Sequence, residues 1–252
     1  MKKALTVVVA LGVAAVTPLG TAGASSPRIH SARVSSPASI LTLSARHIVD
    51  VSLANARAQG SCSNVSRGAA VGLSFSATTQ SGANVAEQSI VFNKARGTAL
   101  LVAGTAYVRL SAKLIALEFG RTAPQLADRW IAISHGDKVF ASVTTGMLFS
   151  SMLSQVLPSG TLSKSKVVTL DGVNVIAISG GANARLGLSA ARQTLFVAAH
   201  APYLPVALDA AGRSQGVPTT LTVTFSHWGE PLHYVAPTPS LSLDATVLAT
   251  GG

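Results

Sequence analysis

A serine-spaced apolar stretch, residues 144–158, is the strongest pattern in the chain, and it reads TTGMLFSSMLSQVLP. Apolar residues stand at positions i, i+3, i+4 and i+7, the spacing of one helix face: Phe149, Met152, Leu153 and Val156. Thr144 or Thr145 can cap the start and Pro158 follows the end, which predicts a helix over residues 144–157. This helix either closes an ordinary core or helps to line a cavity for an apolar ligand, a role that flexible methionines suit.

Helical spacing recurs in two other segments. A helix is predicted over residues 41–57, because helical spacing links Leu43, His47, Val51 or Ile48, Ala54 and Ala58, and Gln59-Gly60 ends the pattern. The same spacing over residues 111–119 predicts a further, short helix.

Alternation of apolar and polar residues begins after Ser61 and is clearest from Val71 through Leu73, Phe75 and Ala77. Alternation is typical of a strand with one buried face. Asp171-Gly172 separates two such runs, which is a strong signal for a two-residue hairpin. Further turns are predicted at residues 80–82, 94–97, 135–137 and 210–212. The predicted strands are residues 71–78, 86–93, 98–103, 105–110, 130–134, 167–170, 173–178, 194–199, 206–209 and 219–226.

The order of these elements predicts the fold class. One helix precedes four strands, a helical insert with one strand follows, and about five more strands complete the pattern. Strands that pair in runs, with helices between the runs, favour an α+β fold in which helices cover one face of a twisted antiparallel sheet. A closed barrel and a sandwich of two smaller sheets are the alternatives. We expect one domain over residues 41–243 and a tail over residues 244–252.

The N-terminal 24 residues have the pattern of a signal peptide. Lys2 and Lys3 are followed by a short apolar run, and Ala22-Gly23-Ala24 supplies the small residues of a cleavage site. We expect cleavage after Ala24, a flexible leader over residues 25–40, and an exported protein that is secreted or held in the cell envelope. Ser25 stands where a lipidated cysteine would be, so no lipid anchor is expected at this junction.

Composition and net charge limit the classes of partner that the protein is expected to bind. Hydrophobic residues make up 48% of the 252-residue chain and charged residues only 11%, which suits a folded core. The net charge is +10, or +8 after loss of Lys2 and Lys3. The basic residues are scattered rather than clustered, so nucleic acid is not expected as a partner, and an anionic envelope surface fits better. We expect a monomer.

No catalytic, metal or cofactor site is expected. The carboxylates form no close pair for acid–base chemistry, and the nearest histidines, His227 and His233, have no Cys or Asp cluster beside them. Nucleophile-elbow and nucleotide-binding motifs do not occur. Cys62 is the only cysteine, so an internal disulfide is impossible, and a plain buried thiol is expected. These observations argue against an enzyme.

Several short phrases occur in an order that resembles one protein family. They are GTAYV at 104–108, DRWIAI at 128–133, the apolar helix at 144–158, LDGV at 170–173, LPV at 204–206 with Asp209 and Gly212, and FSHWGEP at 225–231. Over roughly residues 41–237 the chain resembles the LppX/LprG-type exported lipid-binding lipoproteins of actinobacteria, which have a LolA-like fold. Their lipidated N-terminal cysteine is replaced here by serine.

The resemblance implies a curved, unclosed antiparallel half-barrel with helices over its concave face and a cavity for acyl chains between them. The implied function is a non-catalytic carrier or sensor of a lipid or other long apolar molecule. The alternative is an envelope protein-interaction or structural module on the same scaffold. The family has no binding motif to carry over, so the cavity residues are predicted from strand and helix faces: Leu73, Phe75, Val108, Leu110, Leu114, Leu117, Phe149, Met152 and Val156.

Overall fold

A computed structural model describes residues 40–119 and 123–242 of the chain. Twelve strands in this part form one sheet. They are β1 (Cys62–Ala70), β2 (Leu73–Ser81), β3 (Ala86–Phe92), β4 (Ala95–Val102), β5 (Thr105–Leu110), β6 (Trp130–Ser134), β7 (Ser159–Leu170), β8 (Val173–Gly181), β9 (Ser189–Ala198), β10 (Pro205–Ser214), β11 (Val217–Ser226) and β12 (Ser240–Ser242).

The sheet has the order β12-β6-β5-β4-β3-β2-β1-β11-β10-β9-β8-β7. Every neighbouring pair is antiparallel except the short β12, which runs parallel to β6. β7 and β12 are its two edges, so the sheet does not close on itself. This open, curved, antiparallel-rich sheet with helices on one face confirms the predicted α+β half-barrel class.

Four α-helices are described: α1 (Ala45–Gln59), α2 (Ala112–Phe119), α3 (Phe140–Thr144) and α4 (Phe149–Gln155). They pack on one face of the sheet. Leu208 on β10, Gly97 on β4 and Leu110 on β5 belong to one row of cross-strand partners, so they share that face. Leu208 packs in the core with α1 and α4, and a side chain at Gly97 would meet Leu114 of α2.

Local chemistry sets the ends of α1. The hydroxyl of Ser44 accepts from the backbone N–H of His47 at 3.2 Å, and Gly60 closes the helix with a left-handed φ of 76°. The helix therefore begins four residues after the predicted start at 41, while its end agrees with the Gln59-Gly60 signal.

The single helix predicted over residues 144–157 is wrong in its first half. Thr144 and Thr145 end α3 instead of capping α4: their hydroxyls donate to the carbonyls of Phe140 and Ala141 at 3.0 and 2.5 Å. Gly146 then turns the chain with a φ of 83°, and α4 begins at Phe149. The predicted apolar face of α4 is confirmed, since its four residues are all buried.

The main errors in the strand prediction lie in β1, β2, β7 and β10, and β7 begins at Ser159 rather than at the predicted residue 167. The change to strand spacing after Ser61 agrees with the start of β1, but its extent was not predicted, because its inward positions are small or polar rather than large and apolar. Val71 is not a buried strand residue but a turn residue, 76% exposed.

The turn predicted at residues 210–212 is also wrong: these residues continue β10, and the chain turns at Gln215-Gly216 with φ of 49° and 81°. The turns predicted at 80–82 and 94–97 differ from the observed turns by smaller amounts, because β2 continues to Ser81 and β4 starts at Ala95. The hairpin at Asp171-Gly172 is confirmed, with φ of 48° and 82°.

Buried apolar side chains form three clusters on the helix-covered face. The largest lies where α1 and α4 pack over β8 to β11. A second lies under α3 on β4 to β6, and a third lies under α2. The inward side chains of β1 at the centre of the sheet, Asn64 and Ser66, belong to none of these clusters.

Some predictions concern residues outside the described ones. The signal peptide, nearly all of the leader and the tail fall on residues 1–39 and 243–252, so they stay predictions. Ile40, assigned to the end of the leader, is buried against the largest cluster. Among the described helices, none has the length and apolar character needed to cross a membrane.

Candidate functional site

A cavity of about 40 Å³ lies between the inner face of β11, β1, β2 and β3 and the helix α4. Its floor is polar: Asn64, Ser66, Thr79 and Gln88. Its walls are mostly apolar and include Met152 of α4 and its C-cap residue Val156, with Leu208, Leu221 and Phe225 of the sheet. No charged side chain lines the cavity.

Strand register brings the floor residues together. Asn64 pairs with Phe225 on one side and with Thr79 on the other, and Thr79 pairs with Gln88. Directly paired residues point to the same side of a sheet. Three neighbouring strands therefore present two carboxamides and a hydroxyl in one row, beside an aromatic ring.

The floor residues do not use all of their hydrogen-bonding capacity. Gln88 Nε2 donates to Thr79 Oγ1 at 3.0 Å, and Ser66 Oγ donates to Asn64 Oδ1 at 3.4 Å. Within the described residues, no hydrogen bond involves Asn64 Nδ2 or Gln88 Oε1. Both residues are only 4% exposed, but these two atoms are not among the fully buried unpaired ones, so water or a ligand in the cavity can reach them. A polar occupant that takes up these hydrogen bonds is therefore favoured.

The roof of the cavity, α4, is tied to the sheet mainly at its C-terminal end. Asn183 Nδ2 donates to the carbonyls of Ser154 and Leu157 at 2.8 and 3.3 Å, and Gln193 Nε2 donates to that of Gln155 at 3.0 Å. At the other end the N-cap residue, Leu148, gives no side-chain hydrogen bond. The backbone N–H of Phe149 still donates to the Gly82 carbonyl at 3.1 Å, so the short roof is held by one hydrogen bond at its start and by three at its C-terminal end.

The nine predicted cavity residues do not surround one space. Met152 and Val156 line the cavity, and Phe149 lies in the same cluster. Val108 belongs to the cluster under α3, and Leu110 and Leu114 belong to the cluster under α2. Phe75 is half-buried between two clusters, whereas Leu73 and Leu117 are each 45% exposed. Contact of any of them with a ligand stays a prediction.

Sequence reasoning missed the polar floor. A usable signal was present, because Thr79 shares the strand face of Phe75 and Ala77, and Gln88 shares that of Ile90. A polar residue at an inward position is the informative exception in a strand pattern.

The chemistry available at the site is uncharged binding. Cys62 is buried, and this burial raises the pKa of its thiol to about 12, which suppresses the reactive thiolate. Across the described part of the chain, no group of three or more His, Cys, Asp or Glu side chains is placed to hold a metal ion. The cavity offers hydrogen bonds next to an apolar wall.

Comparisons with known proteins give structural similarities only, because no family model and no curated protein matches the chain. LprF from Mycobacterium bovis is similar at 15% identity and a TM-score of 0.49, covering 78% of this chain and 97% of LprF. A DUF1329 family protein from Desulfovibrio piger is similar at 11% identity and a TM-score of 0.29, covering 75% and 95%. A chain of the Pseudomonas aeruginosa MucA/MucB complex is similar at 13% identity and a TM-score of 0.34, covering 77% and 59%.

Proposed function

We propose that this chain is an exported, non-catalytic protein that binds an amphipathic molecule, a lipid or another compound with a long apolar chain. The observation that carries the proposal is the cavity under α4, where buried polar groups with unused hydrogen-bonding capacity adjoin an apolar wall. Binding pockets for small molecules commonly combine a mostly apolar lining with a few polar groups that orient the ligand. The polar end of the ligand lies on Asn64 and Gln88, and its chain runs along Met152 and Val156.

Cavity size sets a condition on this function. The space of about 40 Å³ suits roughly three water molecules at about 10–15 Å³ each. A long chain therefore enters only when α4 moves away from Leu208 and Leu221. Each methylene buried there contributes about 0.8 kcal/mol, so about ten methylenes gain roughly 8 kcal/mol toward the cost of that movement.

The test is extraction and probe binding. Organic extracts of the protein purified after export are analysed by mass spectrometry, and uptake of a fluorescent fatty acyl probe is measured. Met152→Trp places a larger ring at the cavity wall and should abolish uptake while the protein stays folded. Leu73→Trp is the matched control, because Leu73 is exposed and should tolerate the ring without loss of uptake. Unchanged uptake in a folded Met152→Trp protein would contradict the proposal.

The Asn64→Leu substitution distinguishes a cavity that binds a ligand from one that holds only water. The substitution removes the free amide donors at similar volume. If the floor orients a ligand, probe uptake should weaken, by roughly the 1–3 kcal/mol of an unmet buried group. If the cavity holds water alone, the uptake of the probe should not change.

A protein-interaction or structural module is the second candidate. The small volume of the cavity and the filled core clusters on either side favour it. A clean extract, with no probe uptake by the unmodified protein, is the result expected from this alternative.

A further inference from the structure

Three hairpin turns and the start of α2 meet at one end of the sheet. The turn between β1 and β2 adjoins the turn between β10 and β11, because Ala70 pairs with both Leu73 and Thr219. The turn between β3 and β4 lies on the other side, where the side chain of Asn93 accepts from the backbone N–H of Ser74 at 3.0 Å. Lys113 of α2 donates to the Asn93 carbonyl at 2.8 Å. We call residues 70–74, 92–96 and 213–219, with Lys113, the hairpin end.

Large apolar side chains project at the hairpin end. Val71 is 76% exposed, Leu73 45% and Val217 38%. They stand on the adjoining β1–β2 and β10–β11 hairpins, so the exposed apolar groups form a neighbouring set rather than scattered single residues. Exposed apolar sets of this kind mark surfaces that meet a protein or a membrane.

Positive charge surrounds this apolar set. Lys94, Arg96 and Arg213 are exposed on the turns, and Lys113 lies beside them. The three turn segments contain no acidic residue. Asp137, Asp171 and Glu230 follow the opposite ends of the strands, whereas Asp128, whose N–H donates to the Leu110 carbonyl, lies at this end of the sheet but outside the three turns. The molecule therefore has one cationic end with apolar tips, and these tips do not depend on the cavity under α4.

We propose that the hairpin end docks on an anionic lipid bilayer surface. Apolar tips enter the boundary between headgroups and acyl chains, and the surrounding Lys and Arg side chains contact anionic headgroups. The charge complementarity selects a bilayer over an apolar protein groove, which would offer the four cations no anionic partner. The proposal goes beyond ligand binding and stands whether or not the cavity holds a ligand.

The test is co-sedimentation of the full exported chain with vesicles. Vesicles of phosphatidylcholine with phosphatidylglycerol are compared with vesicles of phosphatidylcholine alone. The chain should bind the anionic vesicles and not the neutral ones, and added salt should weaken the binding. Loss of each cation near a charged bilayer weakens binding about fivefold, so Lys94→Gln with Arg213→Gln should weaken it about 25-fold.

Matched variants keep the experiment decisive. Lys138→Gln with Lys166→Gln removes the same charge from exposed positions away from the hairpin end and should bind like the unmodified chain. Val71→Ser with Val217→Ser keeps every charge and should reduce binding to anionic vesicles. Equal weakening by both charge variants, or equal binding to both vesicle types, would overturn the proposal. So would binding to soluble polyglutamate without binding to vesicles, because it would identify an acidic polymer as the partner.

Discussion

The side-chain amide of Asn183 donates to the backbone carbonyl of Ser154 at 2.8 Å and so ties the turn after β8 to the last turn of α4. Asn183 also donates to the Leu157 carbonyl at 3.3 Å, and its own oxygen accepts from the N–H of Arg185 at 3.0 Å. Carbonyls at a helix C-terminus lack partners inside the helix, so a side-chain donor there stabilises the end. Asn183 is the residue that most directly fixes the roof of the cavity.

Asn183→Asp should therefore destabilise the protein and loosen α4. The substitution keeps an oxygen for Arg185 but removes both donors, and we expect a loss of about 1–3 kcal/mol in the free energy of unfolding. Urea unfolding measures the loss, and hydrogen exchange measures the opening of α4. Asn174→Asp is the control, because Asn174 is exposed on β8 and its oxygen still accepts from Thr169; its effect should stay within about 0.5 kcal/mol. Equal effects of the two substitutions would show that Asn183 has no special role.

The raised pKa of the Tyr234 hydroxyl predicts that the protein loses stability at high pH. Its hydroxyl donates to the side-chain oxygen of Gln80, and burial, followed by the charge of Glu87, raises its pKa from 10.0 to about 12. Between these two values the unfolded tyrosine is ionised while the folded one keeps its proton. The unfolded state then binds fewer protons, so the Tyr234 contribution to stability is complete below pH 10 and declines as the pH rises toward 12.

Tyr234→Phe isolates this contribution. At pH values below that window the substitution should cost about 0.5–1.5 kcal/mol through the lost hydrogen bond. As the pH rises through the window, the stability of the unmodified protein should fall relative to that of the variant, measured by urea unfolding at each pH. Parallel curves for the two proteins across the window would refute the assigned cause.

The sequence predicts those elements of the fold whose type and position depend only on the local pattern of side chains. The apolar face of α4 and the Asp171-Gly172 hairpin followed from helical spacing and from turn chemistry. β1 did not, because only one of its two partners, β2, follows it directly, and the other, β11, comes from a distant part of the chain. A strand whose inward residues are Asn64 and Ser66 has no apolar period to detect.

The candidate site was less predictable than the fold for the same reason. Met152 and Val156 were found because they lie on one helix. Asn64 and Gln88 meet only through the register of three strands, and no local pattern reports that register.

Cys62 should be unreactive in the native protein. Its side chain is 1% exposed and its thiol has a pKa of about 12, so at pH 8 the thiolate fraction is roughly a thousandfold below that of an ordinary cysteine. A maleimide reagent should label the protein only when urea unfolds it, as followed by mass spectrometry. Rapid labelling of the folded protein would show that the thiol is accessible and the β1 end of the sheet open.

Substitution of Gly212 tests how closely β9 approaches β10. A Cβ at this position would lie 2.5 Å from the Cβ of Ala191 and 2.9 Å from the carbonyl oxygen of Ser189, both closer than van der Waals contact allows. Neither neighbour is the flexible end of a long side chain, so relief requires backbone movement at the register shift between Ala211 and Arg213. Gly212→Ala should therefore cost about 1–3 kcal/mol in the free energy of unfolding.

Gly136→Ala is the matched control for this prediction, because a Cβ there meets nothing within 4 Å and the residue does not have a positive φ. It should leave stability within about 0.5 kcal/mol of the unmodified protein, measured by the same urea titration. The two substitutions add the same methyl group, so the difference between them reports the close approach of β9 and β10 rather than the intrinsic preference of glycine. If Gly212→Ala were as well tolerated as Gly136→Ala, the two strands would not approach as closely as the structure places them.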